Sequence, residues 1–209
     1  MKHILLSISM LLMLAACQNK NERKPAKATV ADTTVEKEMP NEREIIISEL
    51  SKLKTAFAQK DKESVLSYFD FPLADSSVNF FEVDSVFDKQ SLENNGAITR
   101  GMFANAFDKI YTFTEMNEFN KLFKLLDIED LKSRDEIGKD VHIKNNGCYY
   151  IYNIRIKGRK VMLQYGTNSD QEYREAHPDE EEVCSEYAMM WAFELKDNKL
   201  KFLEHRIAG

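Results

Sequence analysis

Apolar residues recur at helical spacing between Asn41 and Leu126, and beyond Gly147 they alternate. Ile46, Leu50, Leu53 and Phe57 fall four, three and four residues apart, which places them on one helical face. Asn41 and Glu44 stand where a capping box would open that helix. A second, short helix is expected from Asp61, carrying Val65, Leu66 and Phe69, and Phe71-Pro72-Leu73 ends it because the residue before proline is pushed to extended geometry. Residues 79–87 have the composition of an edge strand. Thr99 can cap a third helix with Phe103, Phe107 and Ile110 on one side. Thr114 can open a fourth, where Phe119, Leu122, Phe123 and Leu126 follow the i, i+3, i+4, i+7 pattern.

Further on, residues 148–156, 160–166, 185–195 and 199–207 are rich in β-branched and aromatic side chains. Asn145-Asn146-Gly147, Lys157-Gly158 and Asp197-Asn198 lie between these runs, where tight hairpins need positive φ. The expectation is an antiparallel meander, and helices followed by strands make an α+β domain with helices on one face. Parity puts Tyr150, Tyr152, Ile154 and Ile156 on one side of their strand, with Val161, Leu163 and Tyr165, then Met189, Trp191, Phe193 and Leu195, on the same side of the next two. The opposite parity mixes Asn153, Arg155, Gln164 and Glu194 with Tyr149, Ile151, Met162 and Met190. Such a half-wet outer face suits a homodimer or a protein partner.

Before Asn41 the pattern disappears. Residues 18–40 hold no aromatic residue and abundant Lys, Glu, Thr and Ala, too little apolar surface to offset the entropy of ordering, so a disordered tether of about 25 Å reach is expected. Residues 1–16 are Lys2 and His3 followed by an apolar run from Ile4 to Ala16, the layout of a secretory signal. That run is short of the roughly 20 residues a membrane span needs. Leu14-Ala15-Ala16-Cys17 resembles the lipobox of bacterial lipoproteins, in which cleavage precedes the cysteine and the new N-terminus carries acyl chains such as palmitate. The resemblance implies a signal peptide at 1–16, a lipidated cysteine and tether at 17–40, a domain at 41–209, and a membrane partner bound through Cys17. Gln18 after the cysteine resembles the sorting pattern of outer-membrane lipoproteins, on either the periplasmic or the cell-surface side. Losing Lys2 takes the formal net charge from −6 to −7, a balance that disfavours nucleic acid.

The chain also resembles the nuclear transport factor 2-like, or cystatin-like, fold, a cone of helices packed on a curved antiparallel β-sheet. The resemblance rests on the long first helix followed by Lys60-Asp61-Lys62-Glu63-Ser64-Val65, on Phe71-Pro72-Leu73, on Ile98-Thr99 with Phe103, Phe107 and Ile110, and on Trp191-Ala192-Phe193-Glu194-Leu195 with Lys199-Leu200-Lys201-Phe202. These are packing motifs, and the superfold holds isomerases, dehydratases, immunity proteins and lipoproteins of unknown role, so fold alone does not select a reaction. Its enzymes use an apolar cone with a carboxylate or histidine base. Here Tyr111, Tyr150, Tyr152, Trp191 and His205 would line such a cone, with Asp70 or Asp108 the nearest acids; Tyr111, Tyr152, Trp191 and His205 are the candidate ligand-binding residues, for a small apolar ligand.

No phosphate loop, nucleophile elbow or H-E-x-x-H motif appears, so no catalytic residue, metal ligand or cofactor is assigned. The acidic stretch from Asp170 to Glu182 lacks the spacing of a calcium loop and reads as a hydrated connection between strands, with docking of a basic partner as its functional alternative. Once Cys17 is committed to lipid, Cys148 and Cys184 remain. On strands separated by a third, their Cα atoms would stand about 9–10 Å apart, too far for a disulfide, so two thiols are expected. These features favour a membrane-anchored binding or interaction domain over an isomerase, dehydratase or hydrolase, with an immunity-type, toxin-binding protein as a further alternative. Mass spectrometry of protein extracted from membranes is expected to find residues 1–16 missing and acyl chains on Cys17; an unmodified Cys17 in soluble protein would overturn that assignment.

Overall fold

A computed structural model of the protein describes residues 41–78, 80, 83–143, 147–179 and 184–209. The expected signal segment, Cys17 and the tether lie outside the described residues, as do Asn145, Asn146 and Glu180 to Glu182.

The first helix, α1 (Glu42–Ala58), starts where Asn41 accepts the Arg43 amide at 3.1 Å and buries Ile46, Leu50, Leu53 and Phe57. Helix α2 (Lys62–Leu66) is capped by Asp61, which takes both the amide and the hydroxyl of Ser64, and these bonds hold its carboxyl below the usual range. A two-residue pair follows, β1 (Leu73–Ala74) with β2 (Ala97–Ile98). Between them lies α3 (Ser85–Glu93), a helix where the sequence suggested a strand over 79–87, of which Asn79, Phe81 and Glu82 are outside the described residues. The cap decides: Asp84 accepts the amides of Val86 at 2.7 Å and Phe87 at 3.0 Å, satisfying donors that a new helix leaves open. Its bond to Lys109 and those amides press its carboxyl down to about 2. The helix buries only Phe87 and leaves Val86 and Leu92 exposed, which is why its apolar pattern imitated a strand.

Helix α4 (Arg100–Phe113) opens with Thr99 accepting the Met102 amide, as its sequence indicates. Thr114 does not open the next helix. Its buried hydroxyl turns back to donate to Ile110 O at 2.7 Å, closing α4, and Glu115 takes φ +49° before α5 (Glu118–Leu125) begins.

All five strands of the main sheet are antiparallel neighbours in chain order: β3 (Glu136–His142), β4 (Cys148–Lys157), β5 (Lys160–Ser169), β6 (Tyr187–Lys196) and β7 (Lys199–Ala208). Strand β3 escaped the sequence pattern because only Ile137 and Val141 are large and apolar in it; the rest is the charged, glycine-containing composition of an edge. Asp197 and Asn198 both take positive φ in the β6–β7 hairpin, as a twist-matched two-residue turn requires. In the β4–β5 hairpin the turn residues are Gly158 and Arg159, one position later than expected. A short helix, α6 (Gln171–Ala176), capped by Asp170, occupies part of the acidic connection.

The inner parity is confirmed: Tyr152, Ile154, Ile156, Val161, Leu163, Tyr165, Met189, Trp191, Phe193 and Leu195 are all buried, and Tyr150 is half-buried. Between β6 and β7 the register shifts. Ala192 faces Glu204 whereas Phe193 faces Phe202, leaving Leu203 as an extra residue. This bulge reverses the parity of β7, so Leu200 and Phe202 point inward before it and His205 points inward after it. Among the described residues no helix is long and apolar enough to cross a membrane.

Gly166 sits in β5 between Ile151 and Ala188, where an added Cβ would stand 2.0 Å from Tyr187 O and 2.9 Å from Ala188 Cα. Both obstacles are backbone, so the strands themselves must part. Gly166→Ala is expected to lower unfolding free energy by about 3 kcal/mol in urea titration; an unchanged midpoint would mean that β5 and β6 are not in this register.

Candidate functional site

Trp191, Phe119 and their neighbours occupy the space where an apolar cone would have to open. Phe119, on α5, meets Trp191 edge-on at 5.7 Å, Phe57 at 4.7 Å and Tyr165 at 5.9 Å between ring centroids. Phe202 closes on Trp191 from β7 at 5.6 Å. All of these rings are buried.

Each sequence-selected residue has a definite place in this packing. Tyr111 is buried on α4 and donates its hydroxyl to Phe57 O at 3.0 Å, with the Lys60 ammonium 5.1 Å from its ring centre. Tyr152 donates to Glu118 Oε2 at 3.1 Å. Trp191 is fully buried, with the Tyr165 hydroxyl the polar group beside its indole nitrogen. His205 lies beside it at 4.5 Å, its Nε2 3.3 Å from Met189 Sδ and its Nδ1 without a partner. Trp191 and His205 are thus brought together, while Tyr111 and Tyr152 are engaged elsewhere. Asp70 and Asp108 are exposed and paired with Lys201 and Lys60 at the surface.

Polar chemistry concentrates instead at the turn between α4 and α5. Tyr152, Tyr165 and Tyr187, from three adjacent strands, aim their hydroxyls at it. Tyr165 reaches the carbonyls of Thr114 and Glu115 at 2.8 and 3.0 Å. Tyr187 donates to Glu115 Oε2 at 3.0 Å. Glu118 accepts from Tyr152 and from Lys121, whose ammonium also lies 5.7 Å from the Tyr150 ring centre. Burial, reinforced by the Glu115 and Glu118 charges, pushes all three phenols above their ordinary range. The phenols stay protonated as donors, so they fasten the turn and are not bases themselves.

Among the described residues, two surface clefts stand out by volume. One, of about 650 Å³, lies between α1, α2 and the start of β7. At its floor Glu49 is buried, bonded to Lys52 at 2.7 Å and accepting the Leu200 amide at 3.4 Å. Burial and that carboxylate push the neighbouring Tyr68 up to about 12. The sequence did carry a sign of Glu49: it lies three residues after Ile46 and four before Leu53, on the buried stripe. A second cleft, of about 870 Å³, is lined by Asp140, Asp170, Glu172, Glu175 and Glu186 together with His142 and Arg174. His142 stacks on Tyr149 and reaches Asp170 at 3.2 Å, while Arg174 bonds Ser169 Oγ and Glu186. None of the four candidate ligand-binding residues lines either cleft. Among the described residues no group of three His, Cys, Asp or Glu side chains could hold a metal ion.

Cys184 departs from its expected place. It precedes β6, which begins at Tyr187, and its Sγ lies 3.7 Å from Asn168 O at the end of β5. Cys148, opposite Ser169, is buried there and hydrogen-bonded to the Cys184 thiol. Cys184 thus lies ahead of the strand on which it was expected, while the expectation that the two cysteines are thiols agrees with the structure. Compared with protein-family models, curated proteins and solved structures, the chain matches none.

Desolvation holds the His205 imidazole down to about 4, whereas in the unfolded chain it protonates near the ordinary 6.5. Its contribution is therefore complete above about pH 6.5, declines as pH falls because the unfolded state gains the proton first, and is lost by about pH 4, a total of about 3 kcal/mol. Unfolding free energies measured from pH 7 to 4 are expected to fall more steeply for the natural protein than for His205→Met; parallel curves would mean that His205 is solvated.

Proposed function

We propose that the chain is a lipoprotein anchored in the outer membrane through Cys17, whose folded part is a protein-interaction module of nuclear transport factor 2-like build. The observation that carries the module reading is the packing of Phe119, Trp191, Phe202 and His205 where an enzyme of that build would keep a substrate cone. A small-molecule isomerase, dehydratase or hydrolase would need Trp191 or His205 to reach its substrate, and both are buried. The fold assignment draws support from helices preceding an antiparallel meander and from the Leu203 bulge, a device that bends and twists a sheet.

The anchor leaves the module's surface for recognition. On the outer face, Tyr149, Ile151, Met162 and Met190 are half-buried among Asn153, Gln164 and Glu194, a mixed composition suited to a partner that comes and goes. One observation favours the immunity-type alternative: the carboxylates of Asp140, Asp170, Glu172, Glu175 and Glu186 converge on one cleft, and a basic toxin surface is the chemistry they would attract.

A dye that fluoresces in apolar cavities separates module from enzyme. The natural protein is expected to leave 1-anilinonaphthalene-8-sulfonate dark, while Trp191→Ala, which empties the packed centre, should lose about 3–5 kcal/mol of stability and begin to bind it. Saturable dye binding by the natural protein, abolished by Trp191→Ala at unchanged melting temperature, would reinstate the open cone and the enzyme.

A further inference from the structure

We infer that Cys148 and Cys184 are a modification site, closed into a disulfide by a dithiol-oxidising disulfide donor, which staples the acidic connection to the end of the sheet. The two thiols are already in hydrogen-bond contact. The backbone around them is held from both sides. Thr167 Oγ1 donates to Ser185 O, the Ser169 amide donates to Glu186 Oε1 at 3.3 Å, and Arg174 bonds both Ser169 and Glu186. Cys148 itself is fixed by β-pairing opposite Ser169. These contacts hold the segment carrying Cys184 against the end of β5 with which Cys148 pairs, and side-chain proximity of this kind is what closure of a disulfide first requires.

The environments of the two sulfurs give the reaction an order. Cys184 is the more exposed and meets the oxidant first. Its thiolate attacks one sulfur of the donor disulfide; a new S–S bond forms, the donor bond breaks, and the other half leaves as a thiolate that takes up a proton. Cys148 then loses its proton and attacks Cys184 Sγ, expelling the second half. In sum, two protein thiols are oxidised to one disulfide and the donor disulfide is reduced to two thiols. Burial first, and then the bond to Cys184, push the Cys148 thiol up to about 11. As a thiolate it is scarce, which disfavours roles as an independent nucleophile or metal ligand and leaves contact with Cys184 as the feature that permits closure.

The inference does not depend on the lipid anchor, because the oxidant can be supplied. The full chain is reduced, transferred to oxidised glutathione at pH 8, quenched in acid, treated with N-ethylmaleimide in denaturant without reductant, and digested with trypsin. Cleavage after Lys144, Arg155, Arg174 and Lys196 isolates peptides 145–155 and 175–196. The expected product is these two peptides joined and separable by reduction, with a melting temperature roughly 5–15 °C above that of the reduced chain. Cys184→Ser is expected to keep the reduced melting temperature whether or not oxidant is present. Maleimide on both cysteines after prolonged oxidation would overturn the inference. So would glutathione retained on Cys184 beside a maleimide-labelled Cys148, since it would show that the second sulfur does not reach the first.

Discussion

Phe119 is the residue through which helices and sheet become one core. From α5 it touches Phe57 of α1, Tyr165 of β5 and Trp191 of β6, so three elements far apart in sequence share one ring. Edge-to-face contacts of this kind add about 0.5–1.5 kcal/mol each to the burial of the rings themselves. The second aromatic group, Phe69 with Phe71, Phe80 and Phe103, joins this one through Phe202. Because the helical layer is fastened at Phe119, the α4–α5 turn must lie over the sheet, and the three tyrosines that rise to meet it satisfy carbonyls and carboxylates that burial would otherwise leave costly.

That arrangement reassigns what looked like reactive chemistry. Tyr152, Tyr165 and Tyr187 are donors held at fixed acceptors, Tyr111 is spent on a carbonyl of α1, and Trp191 and His205 face each other inside the core. A catalytic site of the same residue types would require one of these groups to be left facing a cavity. Arg43 has a comparable structural role at the opposite end of the chain's order, binding the carbonyls of Leu131 and Arg134 and the carboxylate of Asp135, which ties the start of α1 to the approach to β3.

Strong periodicity was legible and weak periodicity was not. Helices α1 and α4 announced themselves because cap and stripe agreed, and β4 to β6 because their inward residues are large at every second position. Helix α3 was misread since it buries one side chain, and its aromatic and β-branched residues spoke louder than Asp84. Strand β3 was missed since an edge strand protects itself with the polar residues that make it inconspicuous. For the candidate site, parity identified Trp191 and Tyr152 as inward-facing, yet their partners lie on α5, and no local pattern encodes which carboxylate a phenol will meet. Cys184 was misplaced for a related reason, whereas Cys148 opens β4 as expected: strand order fixes distances within a ladder and says nothing of the segment that precedes one.

The bulge at Leu203 makes the last strand sensitive to length more than to letter. Were Leu203 kept and the strand paired without the bulge, every side chain from Glu204 onward would turn over. Glu204 and Arg206, which bond each other in solvent, would face Trp191, and His205 would face water. Sequence change in this stretch is thus constrained by counting: substitutions at exposed positions leave the core untouched, and Leu203 can be lost with the bulge, whereas one residue gained or lost beyond it exchanges inside for outside along the rest of the terminal segment.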